Sequence, residues 1–150
     1  MAIYLDFVDF STFTTYEPIS VDGRTYYGGP ADLDPSWTPI RGIRTVLEHI
    51  ARRLITPPGM YDDETYGFDL NSYMNANLLT QDLDALQAAI RDQAEAVEGV
   101  DQAAVVARID PTSKSLLVKI TVTLTDQVED FNLVFVLGPD TIPRIFFPVV

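Results

Sequence analysis

The run from Ser115 to Thr125 constrains the fold more than any other part of the chain. Leu116, Val118, Ile120, Val122 and Leu124 alternate without a break against Leu117, Lys119, Thr121 and Thr123. Only an extended strand, whose successive side chains point to opposite faces, gathers the first set on one side and leaves a semi-polar set on the other. Its backbone needs partners and its apolar face needs a cover. The runs Gln102 to Ile109 and Phe131 to Leu137 supply the partners. They are joined to it through Asp110-Pro111-Thr112-Ser113-Lys114 and the short Asp126 to Asp130 segment, and loops this short make the neighbours antiparallel. In the third run Phe131, Leu133, Phe135 and Leu137 face inward, which leaves Val134 and Val136 on an outer face more apolar than solvent usually meets.

Two helical stripes provide the cover. Ile43, Val46, Leu47, Ile50 and Leu54 recur at the spacing that lines one side of a helix. Thr38 before Pro39 is a suitable N-terminal cap, and Pro57-Pro58-Gly59 prevents continuation. Arg52 and Arg53 fall in the last turn, where cations oppose the negative end of the macrodipole; contact with a partner is their other reading. The second stripe, Leu79, Leu83, Leu86, Ile90 and Val97, has Thr80 as its candidate cap, Asp82 and Asp84 at the positive end and Gly99 as its stop. Between the helices, Tyr66-Gly67-Phe68-Asp69-Leu70 predicts a tight turn at Gly67 and a short helix from Asp69, whose carboxylate is placed to cap Ser72 or nearby amides.

Helices followed by strands give an α+β fold: two main helices plus a short helix packed on one face of a three-stranded antiparallel sheet. Residues 40–137 form this core. Residues 1–39 read as an extended, aromatic-rich N-terminal arm, with a hairpin turning at Asp22-Gly23 and ending at Gly28-Gly29-Pro30. The tail, 138–150, is apolar but interrupted by Pro143 and Pro148, which excludes a helix and argues against a central strand. Insertion of Phe146 and Phe147 into a neighbouring subunit is the expectation, with folding back as the alternative.

Little chemistry is available. The chain has no cysteine, so disulfides and thiolate metal sites are excluded. His49 is the single histidine, which removes His-rich zinc sites. Asp62, Asp63 and Glu64 fail the calcium-loop template because Tyr66 takes a ligand place and Tyr73 stands where the closing Glu belongs. No nucleophile-elbow, phosphate-loop or dinucleotide fingerprint occurs, so no cofactor is expected. Ten Lys and Arg against 22 Asp and Glu, a net charge of −12, argue against a nucleic-acid partner. No apolar run approaches the ~20 residues of a membrane span, and the N-terminus lacks the basic head of a signal peptide. The expectation is a chain made in the cytoplasm.

The ordered phrase Arg52-Arg53-Leu54-Ile55-Thr56-Pro57-Pro58-Gly59, an acidic loop, Tyr66-Gly67-Phe68-Asp69-Leu70 and then a long helix resembles the W-type baseplate wedge family. These are the sheath initiators of contractile phage tails and related injection machines. The resemblance covers Ile40 to Leu137. It implies a structural subunit rather than an enzyme, present in multiple copies in a symmetric virion tail baseplate and made in the host bacterial cytoplasm. Its partners would be the tail sheath protein, whose extended arms add strands to a sheet of this kind, and other baseplate wedge proteins. Tyr66, Gly67, Asp69, Leu70 and Glu98 carry over as scaffold or interface positions, and Val134, Val136, Phe146 and Phe147 are the candidate partner-facing apolar residues. The chain departs from the family where Glu-Pro-Arg is usual: it has Glu98-Gly99-Val100, so an ion pair built on that arginine is not expected. Some members of the family are labelled lysozyme-like. A peptidoglycan-cleaving hydrolase using Glu64 and Glu98 is therefore an alternative, and an acidic adaptor is another.

Overall fold

The computed structural model describes residues 5–7, 17–30, 39–75, 81–125, 127–138 and 144–147. In chain order these form β1 (Leu5–Phe7), β2 (Glu17–Val21), β3 (Arg24–Pro30), β4 (Pro39–Arg41), α1 (Ile43–Ile55), a 3₁₀ turn (Leu70–Asn75), α2 (Asp82–Glu95), β5 (Val100–Ile109), β6 (Leu116–Leu124), β7 (Asp130–Leu137) and β8 (Arg144–Phe147). The α1 stripe and the three long strands are present; of the second stripe Leu83, Leu86 and Ile90 lie on α2 while Val97 follows its end, and the short helix expected from Asp69 is a 3₁₀ turn. Val46, Leu47, Ile50 and Leu54 of α1 and Leu86, Ile90 and Ala94 of α2 are buried against Val118, Ile120 and Val122 of β6. Gly99 takes a positive φ beyond α2.

The three-stranded sheet expected from the sequence is incorrect. The principal sheet has six antiparallel strands in the order β2-β3-β8-β7-β6-β5, and a separate ladder joins β1 to β4. The tail does not leave the domain: β8 lies between β3 and β7, with Val134 opposite Phe146 and Phe135 opposite Ile145. Pro143 and Pro148 flank these four residues in the sequence instead of interrupting them, so the proline rule does not bar the segment that pairs. Gly28-Gly29-Pro30 likewise continues β3 rather than ending it. A Cβ at Gly28 would lie 1.9 Å from the Ile145 carbonyl oxygen, so glycine is what lets β3 come this close to β8.

A second correction concerns the start of α1. Pro39–Arg41 is a strand paired with β1, and the helix begins at Ile43 after Gly42, which has φ 72° and makes no side-chain cap. Thr38, Leu79 and Thr80 lie outside the described residues.

Curling of the sheet follows from its contacts. Asp22, at the tip of the β2–β3 hairpin, is no fewer than three strand spacings from β6, roughly 14 Å in a flat sheet. Its carboxylate nevertheless meets Lys119 Nζ of β6, and Arg108 of β5 approaches it at 4.0 Å. β8 pairs with Tyr27–Pro30 of β3, which frees Arg24–Tyr26 and the turn to fold over the face away from the helices. There Val21 and Tyr26 bury Val134 and Phe146, with Ile19, Leu117 and Val136 packed around them. Each such fully buried side chain contributes roughly 1.5–3 kcal/mol. The sheet therefore has two cores, one under the helices and one under its own hairpin.

Candidate functional site

The two ends of the sheet differ. At one end β2 is five residues long and contains Pro18, which has no amide hydrogen to offer. At the other, β5 runs for ten residues. Its register with β6 pairs Val106 with Lys119 and Ala107 with Val118. The Ala107 amide donates outward to Gln87 Oε1 of α2 at 2.8 Å. Backbone groups alternate in direction along an antiparallel strand, so Ala103, Val105 and Ile109 also turn their amides and carbonyls away from β6. Val106 and Ile109 are 48% and 37% exposed. A strand of this length, with an outward row of peptide groups and apolar side chains beside it, is a template for another strand.

The phrase that carries the family resemblance is held together by backbone contacts. Thr56 stops α1, its Oγ1 donating to the Arg52 carbonyl at 2.6 Å. Its own carbonyl accepts from the amides of Phe68 (2.8 Å) and Asp69 (3.2 Å). Gly67 has φ 110°, and a Cβ there would sit 2.8 Å from that same carbonyl oxygen. Asp69 takes φ 58°, and Leu70 is fully buried. The Ser72 amide and hydroxyl donate to the Asp69 backbone carbonyl (3.0 and 2.8 Å), so it is this carbonyl, and not the carboxylate expected from the sequence, that holds the short turn. The two sequence words are thus two halves of one docked turn.

Beside that turn lies a hollow of about 370 Å³ lined by His49, Arg52 and Arg53 of α1, by Tyr66, and by Ala96, Val97 and Glu98 after α2. Arg53 is fixed: Nε donates to Gln93 Oε1 at 2.7 Å, Nη2 donates to the Thr65 carbonyl at 2.9 Å, and the guanidinium lies 4.9 Å from the centre of the Tyr66 ring. Tyr61 meets Tyr66 edge-on, ring centres 5.0 Å apart. Asp63, in the acidic loop, accepts from the hydroxyl and amide of Thr65 (2.6 and 2.9 Å), which holds its carboxyl below the usual carboxylate range. Asp63 is thus engaged within its own turn, and among the described residues no group of His, Asp and Glu is arranged to hold a metal.

The curled face forms a second concavity, of about 650 Å³. Its polar floor is internally paired: Thr121 with Asn132 (2.8 Å), Thr123 with Asp130 (2.8 Å), and Asn132 Nδ2 donating to the Tyr26 hydroxyl (3.0 Å). The hydrogen bond from Lys119, then its charge, hold the Asp22 carboxyl below the ordinary range.

The sequence-predicted residues therefore separate into three groups. Tyr66, Gly67, Asp69 and Leu70 stay together in one turn, and Tyr66 lines the hollow that Glu98 also lines. Val134 and Phe146 are covered by the hairpin and Val136 is half-buried beside them. Phe147 is buried on the helix side beneath the Arg44 guanidinium, 3.6 Å from its ring centre. The apolar outer face and the apolar tail satisfy each other within one chain. Nothing in the sequence marks which strand forms the edge or that Gln87 caps it; for the pair Met60-Tyr61, 67% and 56% exposed, the available signal is an aromatic residue just after a proline-glycine stop. Comparison with protein-family models, curated proteins and solved structures finds no match.

Proposed function

We propose that the chain is a structural subunit of a contractile-tail baseplate, a sheath initiator of the W type, and not an enzyme. On this reading it is present in several copies in a symmetric wedge assembly, together with other wedge proteins. It starts the first sheath ring by accepting an extended arm of the sheath protein along β5. The observation that carries the proposal is the asymmetry of the sheet: a blunted five-residue edge at β2 and a ten-residue edge at β5 whose alternate peptide groups face outward, with the Ala107 amide held by Gln87. Main-chain pairing along such an edge supplies affinity, and the alternate side chains supply specificity. The ordered phrase from Arg52 to Leu70 supports the same reading through its resemblance to that family.

The hydrolase reading has less support. Cleavage of a glycosidic bond needs two carboxyl groups across the bond, and among the described residues Glu98 is the one carboxylate lining the hollow, beside two arginines and a histidine. The test is omission of the chain from a recombinant tail assembled with the sheath and wedge proteins of its own gene cluster, followed by electron microscopy. The expected result is baseplates without attached sheath, restored when the chain is supplied. Complete, sheathed tails in its absence would overturn the proposal.

A further inference from the structure

Among the described residues, one side chain takes an outward peptide group of β5. Gln87 follows Leu86, whose side chain is buried against the sheet, and its contact with β5 puts it on the flank of α2 that overlooks the edge. Its Oε1 accepts from the Ala107 amide at 2.8 Å. A carboxamide carries a carbonyl and N–H groups like those of a peptide, so Gln87 holds the place at which the carbonyl of an added strand would meet Ala107. The amides of Ala103, Val105 and Ile109 point the same way along the register with β6.

A strand that pairs from Ala103 to Ile109 crosses Ala107, so Gln87 has to leave. At Ala103, Val105 and Ile109 the new strand displaces water. At Ala107 it exchanges one protein hydrogen bond for another, and the gain there is smaller. Natural sheets guard their edges by covering them in part, and β2 at the other end is blunted by Pro18. We infer that Gln87 is a latch on the β5 edge: it caps Ala107 in the free chain, swings out when a strand is added, and thereby sets how tightly the edge holds its partner. Its side chain is long and half-buried, so the swing disturbs none of the core under α2. The latch rests on the reading of β5 as an acceptor edge. A tether that merely fastened α2 to β5 would respond differently, since its removal would lower stability and leave strand affinity unchanged.

The test uses the full chain, isotope-labelled and followed by NMR, with a strand peptide, acetyl-Ser-Val-Thr-Val-Thr-Val-Ser-amide, and separately with the sheath arm. The peptide is uncharged, so the charge introduced by Gln87→Glu does not attract it. Binding of so short a strand will be weak, on the order of millimolar. It is expected to shift the amide signals of Ala103, Val105 and Ile109 saturably and to move the side-chain amide signals of Gln87. Gln87→Ala should bind the peptide about ten-fold more tightly than the parent, because the Ala107 amide then joins the pairing at full gain. Gln87→Glu, whose carboxylate caps the same amide through a charge-assisted bond, should bind it no more tightly than the parent. Alanine and glutamate are both good helix formers, so α2 is retained in each variant. Equal affinity of the parent and Gln87→Ala, or Gln87 side-chain signals that stay in place while the β5 amides respond, would overturn the inference. Silence of the β5 amides towards both ligands in every variant would overturn it together with the acceptor edge. The expected response to the peptide, without binding of the sheath arm, would leave the latch standing and overturn the sheath proposal alone.

Discussion

Asp22 has a local role and a distant one. It shares the hairpin turn with Gly23, both at positive φ (52° and 78°), the geometry that a two-residue turn between twisted strands requires. It also closes the curled sheet through Lys119, 97 positions away in sequence. Because its carboxyl titrates below the unfolded value, its contribution is fully present above that value and is lost as the pH falls through the folded one. Asp22→Asn tolerates the same backbone conformation but cannot hold the charge. The variant should melt below the parent at neutral pH, and the two curves should converge as the pH drops below about 3.9. A gap that persists unchanged into acid, measured by thermal unfolding, would show that the pair does not clasp the hairpin. The turn was legible in Asp-Gly; its partner was not, since nothing local in Lys119 marks which of 22 carboxylates it meets. Gly28 was read as a breaker for a related reason: the close approach that requires glycine is made by β8, far along the chain.

At the level of elements, periodicity was a good guide wherever one face alone decided the structure. β6 shows strict alternation of buried and half-buried residues, and the stripes of α1 and α2 enter the core as their spacing predicts. The reading failed where two faces were apolar. Val134 and Val136 signalled a missing layer, and that layer proved to be the chain's own β2–β3 hairpin, which also covers Phe146 of the neighbouring β8. β4 is not evident in the sequence because three residues that begin with a proline carry too little pattern to separate a strand from a helix start. For β5 the element makes its own prediction. Ile109→Pro removes one outward amide and leaves the ladder to β6 in place, a change that edge strands accept. The melting temperature should fall only slightly, while capture of the sheath protein should weaken about ten-fold. Unaltered capture by a folded variant would remove β5 from the interface.

For the molecule as a whole, the curl determines which surfaces remain for partners. The hairpin covers the apolar part of the face away from the helices, the helices cover the other face, and β2 is short and blunted by Pro18. Among the described residues this leaves the β5 edge, capped by Gln87 at Ala107, and a hollow at the end of α1 with Met60 and Tyr61 exposed near it. Neither was legible as a site in the sequence, because an edge is a property of strand order and a hollow brings together residues from three separate segments. The central claim, that β5 accepts an extended arm of the sheath protein, is tested most directly by hydrogen exchange resolved at single amides, with and without that arm. The outward amides of Ala103, Val105 and Ile109 should become protected on binding, while those of Ala104, Val106 and Arg108, already directed to β6, should change little. Outward amides that exchange at the same rate with the arm bound would contradict the account.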